Sequence, residues 1–215
     1  LADVAVEGEV IVAVIGACDE RMLDLPPGAR EIDADGLVLA PGFIDMHAHS
    51  DLAVLTGAEH TAKILQGVTT EVIGQDGLGY APLDDAAASV IPAQIAGWNG
   101  RPVEVPWRTM NDLLAAVDAA TAANVAVLVP QGNLRMMTVG HENRAATDEE
   151  IAAMCDLLGA ALDAGAFGMS SGLTYTPGMH ASTQELEALC RVVAERGGYW
   201  APHTRSYGAG ALEAY

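Results

Sequence analysis

Lysine is nearly missing from this 215-residue chain: nine of its ten basic residues are Arg, and the single lysine is Lys63. Positive charge as a whole is scarce, since 29 acidic residues outweigh the 10 basic ones and leave a net charge of −19. A field of that sign repels phosphate backbones and anionic lipid surfaces, which argues against nucleic-acid and membrane partners. It welcomes a metal cation and leaves the charge of a small substrate open, because a cleft can differ locally from the sum. Cysteine is also sparse. Cys18, Cys155 and Cys190 are odd in number, widely spaced and contain no CxxC pair, so neither a disulfide framework nor a zinc ribbon is expected. Reduced thiols in a cytoplasmic protein are the expectation. No apolar run reaches the ~18 residues that a membrane-spanning helix needs, and no signal peptide opens the chain.

What is present is apolar material. Hydrophobic residues make up 51% and charged ones 18%, the balance of a globular chain rather than a disordered one. Residues 3–15 are β-branched and apolar around a Gly-Glu turn, which predicts two short strands, and further short strands are expected over residues 24–40. Together they predict part of a small β-sandwich over residues 1–41.

Beyond Pro41 the pattern alternates. Strand-like runs at 42–47, 68–74, 125–130, 166–170 and 199–203 are separated by helix-like segments at 57–66, 107–123, 147–164 and 182–196. Residues 75–106 form a longer connection containing an Ala-rich stretch. Thr147-Asp148-Glu149-Glu150 is a capping-box start. Ser182-Thr183-Gln184-Glu185 opens a second capped helix. Alternation of this kind implies parallel βαβ units, about five of them over residues 42–215. Periodicity leaves two architectures open, a doubly wound sheet or part of an eight-fold barrel. The chain opens at Leu1 inside a strand-like run and closes on a helix-like start at 211–215, so it reads as a fragment whose open sheet is unstable alone.

The strongest chemical signal is Pro41-Gly42-Phe43-Ile44-Asp45-Met46-His47-Ala48-His49-Ser50-Asp51. Positions i and i+2 of a strand share a face, so His47 and His49 are expected to project together. At the C-terminal end of a barrel strand that face is the mouth of the active site. Neutral imidazole is the commonest metal ligand, and two of them make half a site.

This segment resembles the first barrel strand of the amidohydrolase superfamily. Gly67–Gly74, Gly165–Pro177 and Gly198–Arg205 resemble the second, fourth and fifth strands of its N-acyl-D-amino-acid deacylase branch. The resemblance implies a partial (β/α)8 TIM barrel beside a small β-sandwich, and a zinc or other divalent metal site of one or two ions. By that resemblance His47 and His49 match ligands of one metal position and His203 a ligand of the other. Asp76, in Gly74-Gln75-Asp76-Gly77, stands where the branch commonly has a bridging cysteine; a plain Asp-Gly turn is the alternative. A carboxylate bridges metals but holds zinc less softly than thiolate does. Tyr175 and Arg205 are candidate substrate-binding residues, with packing and a structural ion pair as their respective alternatives. Related hydrolases of cyclic amides bridge their metals with a carboxylated lysine on strand four. Here that strand carries Phe167-Gly168-Met169-Ser170, and Lys63 is expected in a helix far from any strand end.

The resemblance implies hydrolysis of the amide of an N-acyl-D-amino acid, with metal lowering the pKa of water from ~15.7 toward ~7. It places a general acid/base Asp after strand eight and a further His after strand six, both beyond residue 215. Related activities on dipeptides, N-carbamoyl compounds or cyclic amides stay open, as does an inactive barrel used for binding or assembly. Of the other histidines, His60 is expected on a helix in a surface or packing role, and His141 and His180 in loops. Ser170 and Ser171 are expected to satisfy backbone groups at the barrel mouth. Gly74-Gln75-Asp76-Gly77-Leu78-Gly79 lacks the GxGxxG spacing of a dinucleotide site.

Overall fold

The computed structural model describes residues 2–16, 26–55, 60–101 and 103–214, which leaves Cys18 outside the described residues. The chain divides into two compact units, Leu1–Pro41 and Gly42–Tyr215.

Among the described residues, the first unit holds one hairpin. Strand β1 (Ala2–Glu7) pairs antiparallel with β2 (Val10–Gly16), with a register shift between Ala5 and Val6. The turn passes through Gly8, whose φ of 60° suits a residue without Cβ. The strands expected over residues 24–40 are not formed: described residues 26–41 contain none. Val38, in the middle of the apolar run Gly36–Ala40, is 90% exposed. Strand propensity reflects packing against a neighbour, and no strand among the described residues pairs with this run.

In the second unit five strands follow one another in space as they do in sequence: β3 (Phe43–Asp45), β4 (Val68–Ile73), β5 (Asn124–Pro130), β6 (Gly168–Gly172) and β7 (Tyr199–His203). Every adjacent pair is parallel. A doubly wound sheet reverses its strand order at a switch point, and this sheet does not. Strict sequential order is the order of a (β/α)8 barrel, here five strands of it.

Helices α1 (Asp51–Leu55) and α2 (Thr61–Ile64) connect β3 to β4. The next connection holds α3 (Asp85–Gln94), α4 (Ala96–Asn99) and α5 (Met110–Ala120). Helices α6 (Gln131–Thr138) and α7 (Asp148–Asp163) follow β5, and α8 (Thr183–Glu195) follows β6. Val127, Val129 and Met169 of the sheet share one core with Leu113, Val117, Met154, Leu158, Leu189 and Val193 of the helices. No helix among the described residues is long and apolar enough to cross a membrane.

Caps behave as their chemistry dictates. Thr147 and Glu150 form a reciprocal capping box at the start of α7, and the Ser182 side chain accepts from the Glu185 N–H at the start of α8. Two helices depart from expectation. The helix expected over 57–66 is one turn, Thr61–Ile64, among the described residues. Helix α6, which periodicity misses, begins immediately after β5 with Gln131-Gly132-Asn133, a poor helix former by composition. Tertiary bonds hold it instead: the Asn133 side chain accepts from the Gly79 N–H at 3.1 Å and donates to the Gly79 carbonyl at 2.9 Å.

Candidate metal centre

Strand β3 ends at Asp45, so His47 and His49 stand in the turn beyond it rather than on the strand. The turn still brings their rings together, with Nε2 to Nε2 at 3.3 Å. Three contacts fix it. Asp45 Oδ1 accepts from the His47 N–H at 3.1 Å, the Ala48 N–H donates to the Val72 carbonyl at 3.0 Å, and the Ser50 hydroxyl donates to Glu71.

Asp76 arrives from the turn after β4. Its φ of 60° lies in the left-handed region, which Asp tolerates better than most residues. Gly77 beside it has a φ of 76°, and a Cβ there would lie 2.3 Å from the Gly172 amide nitrogen. The turn is therefore built so tightly that the carboxylate is aimed by the backbone. Strain of this kind concentrates at functional sites. The Tyr175 hydroxyl donates to the Asp76 carbonyl and closes the turn from the other side.

The carboxylate faces three imidazoles. Asp76 Oδ2 is 3.2 Å from His49 Nε2, while Oδ1 is 3.6 Å from His47 Nε2 and 3.4 Å from His203 Nδ1. His203 is the last residue of β7. The ligand atoms of His47, His49 and Asp76 all lie within 4.8 Å of one another, and His203 joins them through Asp76. Two nitrogens each ~2.0–2.1 Å from a tetrahedral ion are about 3.3 Å apart, so the donor spacing fits a shared cation. Burial pushes the Asp76 carboxyl up, but the facing imidazoles outweigh it and hold the group below its ordinary range. The bond to Asp76 raises His49 against the opposing effect of burial.

Several residues behind this cluster were not singled out by sequence reasoning. Asp51, buried, accepts from the Gly74 N–H at 3.0 Å and ties the His47–His49 turn to the end of β4. Burial pushes its carboxyl up to about 6. With its amide oriented to donate, Asn99 bonds the His49 carbonyl at 2.9 Å and Asp51 Oδ2 at 3.3 Å. Glu71, fully buried, is bonded by His60 and Ser50, with Lys63 Nζ at 3.5 Å. Lys63 also pairs directly with Asp45.

Two expectations are corrected here. His60 precedes α2 rather than lying on a helix, with a φ of 44°, and its ring is spent on a buried carboxylate. Lys63 reaches the end of β3. The pairing comes from strand register: Asp45 and Glu71 are partners on adjacent strands, and the chain's only lysine reaches both carboxylates.

The other candidates divide. Tyr175 lies against the cluster, its ring centroid 5.5 Å from that of His203, and burial raises its phenol above the ordinary value. Arg205 lies beyond the end of β7 rather than on its face, and its guanidinium donates to the Ala181 carbonyl at 2.7 Å. Ser170 bridges Gly74 and Gly77 backbone groups as expected, whereas Ser171 accepts from the Trp200 indole at 2.9 Å rather than from backbone. His141 is exposed and His180 half-buried, both apart from the cluster.

Lys63→Met is expected to weaken metal retention by about 10–100-fold, the usual effect of losing an outer partner. Asp45, freed of its cation, would no longer hold the His47 N–H in place. Competition with a chelator measures this, and Lys63→Arg should recover most of the loss. Unchanged retention in Lys63→Met would remove the network from any role in placing His47.

The Amidohydrolase family matches residues 30–212. D-aminoacylase of Alcaligenes xylosoxydans xylosoxydans is 39% identical over 208 residues, covering 96% of this chain and 41% of that protein. N-acyl-D-aspartate deacylase of the same organism is 42% identical over 181 residues, covering 83% of this chain and 36% of that protein. A crystal structure of D-aminoacylase superposes with a TM-score of 0.84 at 38% identity, over 100% of this chain and 43% of that one. The structure of N-acyl-D-glutamate deacylase from Bordetella bronchiseptica, complexed with zinc and a phosphonate mimic of the tetrahedral intermediate, gives 0.83 at 36% identity, over 99% and 43%. The chain thus spans about two fifths of the length of these relatives. It belongs to the Amidohydrolase family.

Proposed function

We propose that the protein is a metal-dependent hydrolase that cleaves the amide bond of N-acyl-D-amino acids to a carboxylate and a D-amino acid. The observation that carries this is the convergence of one carboxylate, Asp76, on three imidazoles from two strand ends. His47 and His49 would hold one divalent ion, His203 a second position, and Asp76 would lie between them. The set is nitrogen and oxygen without thiolate, which suits zinc and also harder divalent ions. An ion held there supplies Lewis acidity, acidifying water and polarising a carbonyl.

The chain's own residues do the rest. Asp76, kept ionised by its imidazole neighbours, keeps its oxygens available as ligands. Tyr175 fixes the Asp76 backbone through its hydroxyl and offers its ring edge to whatever lies against His203. Arg205 remains a candidate for the substrate carboxylate with donors beyond those it gives to backbone carbonyls. The free thiols of Cys155 and Cys190 support the reducing cytoplasm as its compartment.

Assay of the full-length protein on N-acetyl-D-amino acids, their L forms and hydantoins tests this, with metal analysis alongside. The D series should be turned over with strong preference, and stripping the metal should abolish that turnover. Preference for hydantoins or N-carbamoyl compounds would move the protein to another activity of the fold. Absence of any amide hydrolysis by metal-loaded protein would sink the reading.

A further inference from the structure

Gly74 and Gly77 stand first and fourth in the turn that carries Asp76, the positions whose carbonyl and N–H ordinarily close a β-turn by bonding each other. Here a side chain comes between them. The Ser170 hydroxyl donates to the Gly74 carbonyl at 2.5 Å and accepts from the Gly77 N–H at 3.0 Å. Ser170 is fully buried on β6, two strands away from β4 in the sheet and 93 residues from Gly77 in sequence. A hydroxyl donates and accepts from one oxygen, so it can take both ends of the turn at once. The turn is propped open by that oxygen.

Other bonds fix where the turn sits. The Gly74 N–H donates to Asp51 at 3.0 Å, and the Gly132 N–H donates to the Gly77 carbonyl at 2.8 Å. Gln75 Nε2 donates at 2.9 Å to the carbonyl of Met46, the residue before His47. None of these sets the distance between the two ends of the turn. Asp76 lies between those ends, and its carboxylate has to face His49 with one oxygen and both His47 and His203 with the other.

Resting on the metal centre of the deacylase reading, we propose that Ser170 is a positioning residue for the Asp76 carboxylate. Its hydroxyl is committed to backbone, so it acts through Asp76 rather than as a ligand. Without it the Gly74 carbonyl and the Gly77 N–H, both buried, lose their partner, and leaving them unpaired is costly. The direct bond between them removes that cost. It also closes the turn and swings the carboxylate away from the three imidazoles.

The zinc affinity of full-length, initially metal-free protein, measured against a competing chelator without substrate, tests this. Ser170→Ala should weaken affinity about 10–100-fold, the usual effect of losing a ligand's outer partner. Ser170→Thr keeps the hydroxyl and should recover most of the loss. Ser171→Ala controls for simple destabilisation. That neighbouring buried hydroxyl accepts from the Trp200 indole, so its loss should lower urea stability as Ser170→Ala does while changing zinc affinity less than about twofold.

A double variant isolates the route through Asp76. In the Asp76→Asn background, Ser170→Ala should lower the residual affinity by less than about twofold, because residues acting as one unit are not additive. Should the added methyl of Ser170→Thr prevent folding, this comparison decides alone. Wild-type affinity in Ser170→Ala, or an equal loss with and without the Asp76 carboxylate, would overturn the role of Ser170 and leave the deacylase reading intact. The expected zinc pattern in a protein inert toward N-acyl amino acids would sink that reading and keep Ser170 in place. A wild-type protein with no zinc affinity would overturn both.

Discussion

Asp76→Asn is expected to lose bound metal and to lower turnover by on the order of 10³-fold or more. That exceeds the ~10–100-fold typical of an outer partner, because Asp76 would be a ligand itself. Both carboxylate oxygens are committed, one to His49 and the other between His47 and His203. An amide keeps the shape but carries no charge and offers a single oxygen. Asparagine is the right replacement because it tolerates the left-handed φ of 60° that the turn imposes. Alanine would add backbone strain of roughly 1–2 kcal/mol and confuse the two causes. Metal analysis and steady-state kinetics on the full-length protein check this. Wild-type metal content and turnover in Asp76→Asn would remove the carboxylate from the centre.

The second large effect lies in the fold. Arg135 of α6 and Glu185 of α8 form an ion pair in which both side chains are 0% exposed. Gln131 Nε2 donates to the same carboxylate at 2.7 Å, and Arg135 also bonds the Arg144 carbonyl. Arg135→Met should lower stability by about 3–5 kcal/mol, since it leaves Glu185 buried without a cation. Urea unfolding measures it.

The loss should depend on pH with a definite sign. Burial raises the Glu185 carboxyl, and Arg135 draws it back. Without Arg135 the folded-state pKa moves further above its unfolded value. A group with a raised folded pKa contributes stability below the unfolded pKa and loses it as pH rises through the folded one. The deficit of Arg135→Met should therefore shrink toward acid and be largest at neutral pH. The double variant Arg135→Met, Glu185→Gln should recover part of the loss at neutral pH. A cost below about 1 kcal/mol, or one independent of pH, would show that the pair is not holding α6 to α8.

How far the chain announced itself differs from element to element. The strand starting near Tyr199 and the capped helices at Thr147 and Ser182 were legible because they rest on local chemistry: β-branched and aromatic runs, and a hydroxyl three residues before an acid. Helix α6 was not, because Gly132 and Asn133 are tolerated only through bonds to Gly79, more than 50 residues away in sequence. The run Gly36–Ala40 erred in the other direction: its composition favours a strand, but no strand among the described residues pairs with it. Choosing between two parallel architectures needed strand order, which no local window contains.

The site divides along the same line. The amino-acid sequence by itself determined which groups are on offer: imidazoles at alternate positions His47 and His49, a carboxylate at Asp76 and an imidazole at His203. It also determined that the chain has a single lysine, Lys63. Only the tertiary structure decided that the pair projects from a turn rather than a strand, and that Asp76 stands between all three imidazoles. It alone took Arg205 to the Ala181 carbonyl and set Lys63, His60 and Glu71 behind the His47–His49 turn. Residue type fixes which atoms can donate or accept. Which of them meet depends on register, helix placement and backbone turns set by contacts far apart in the chain.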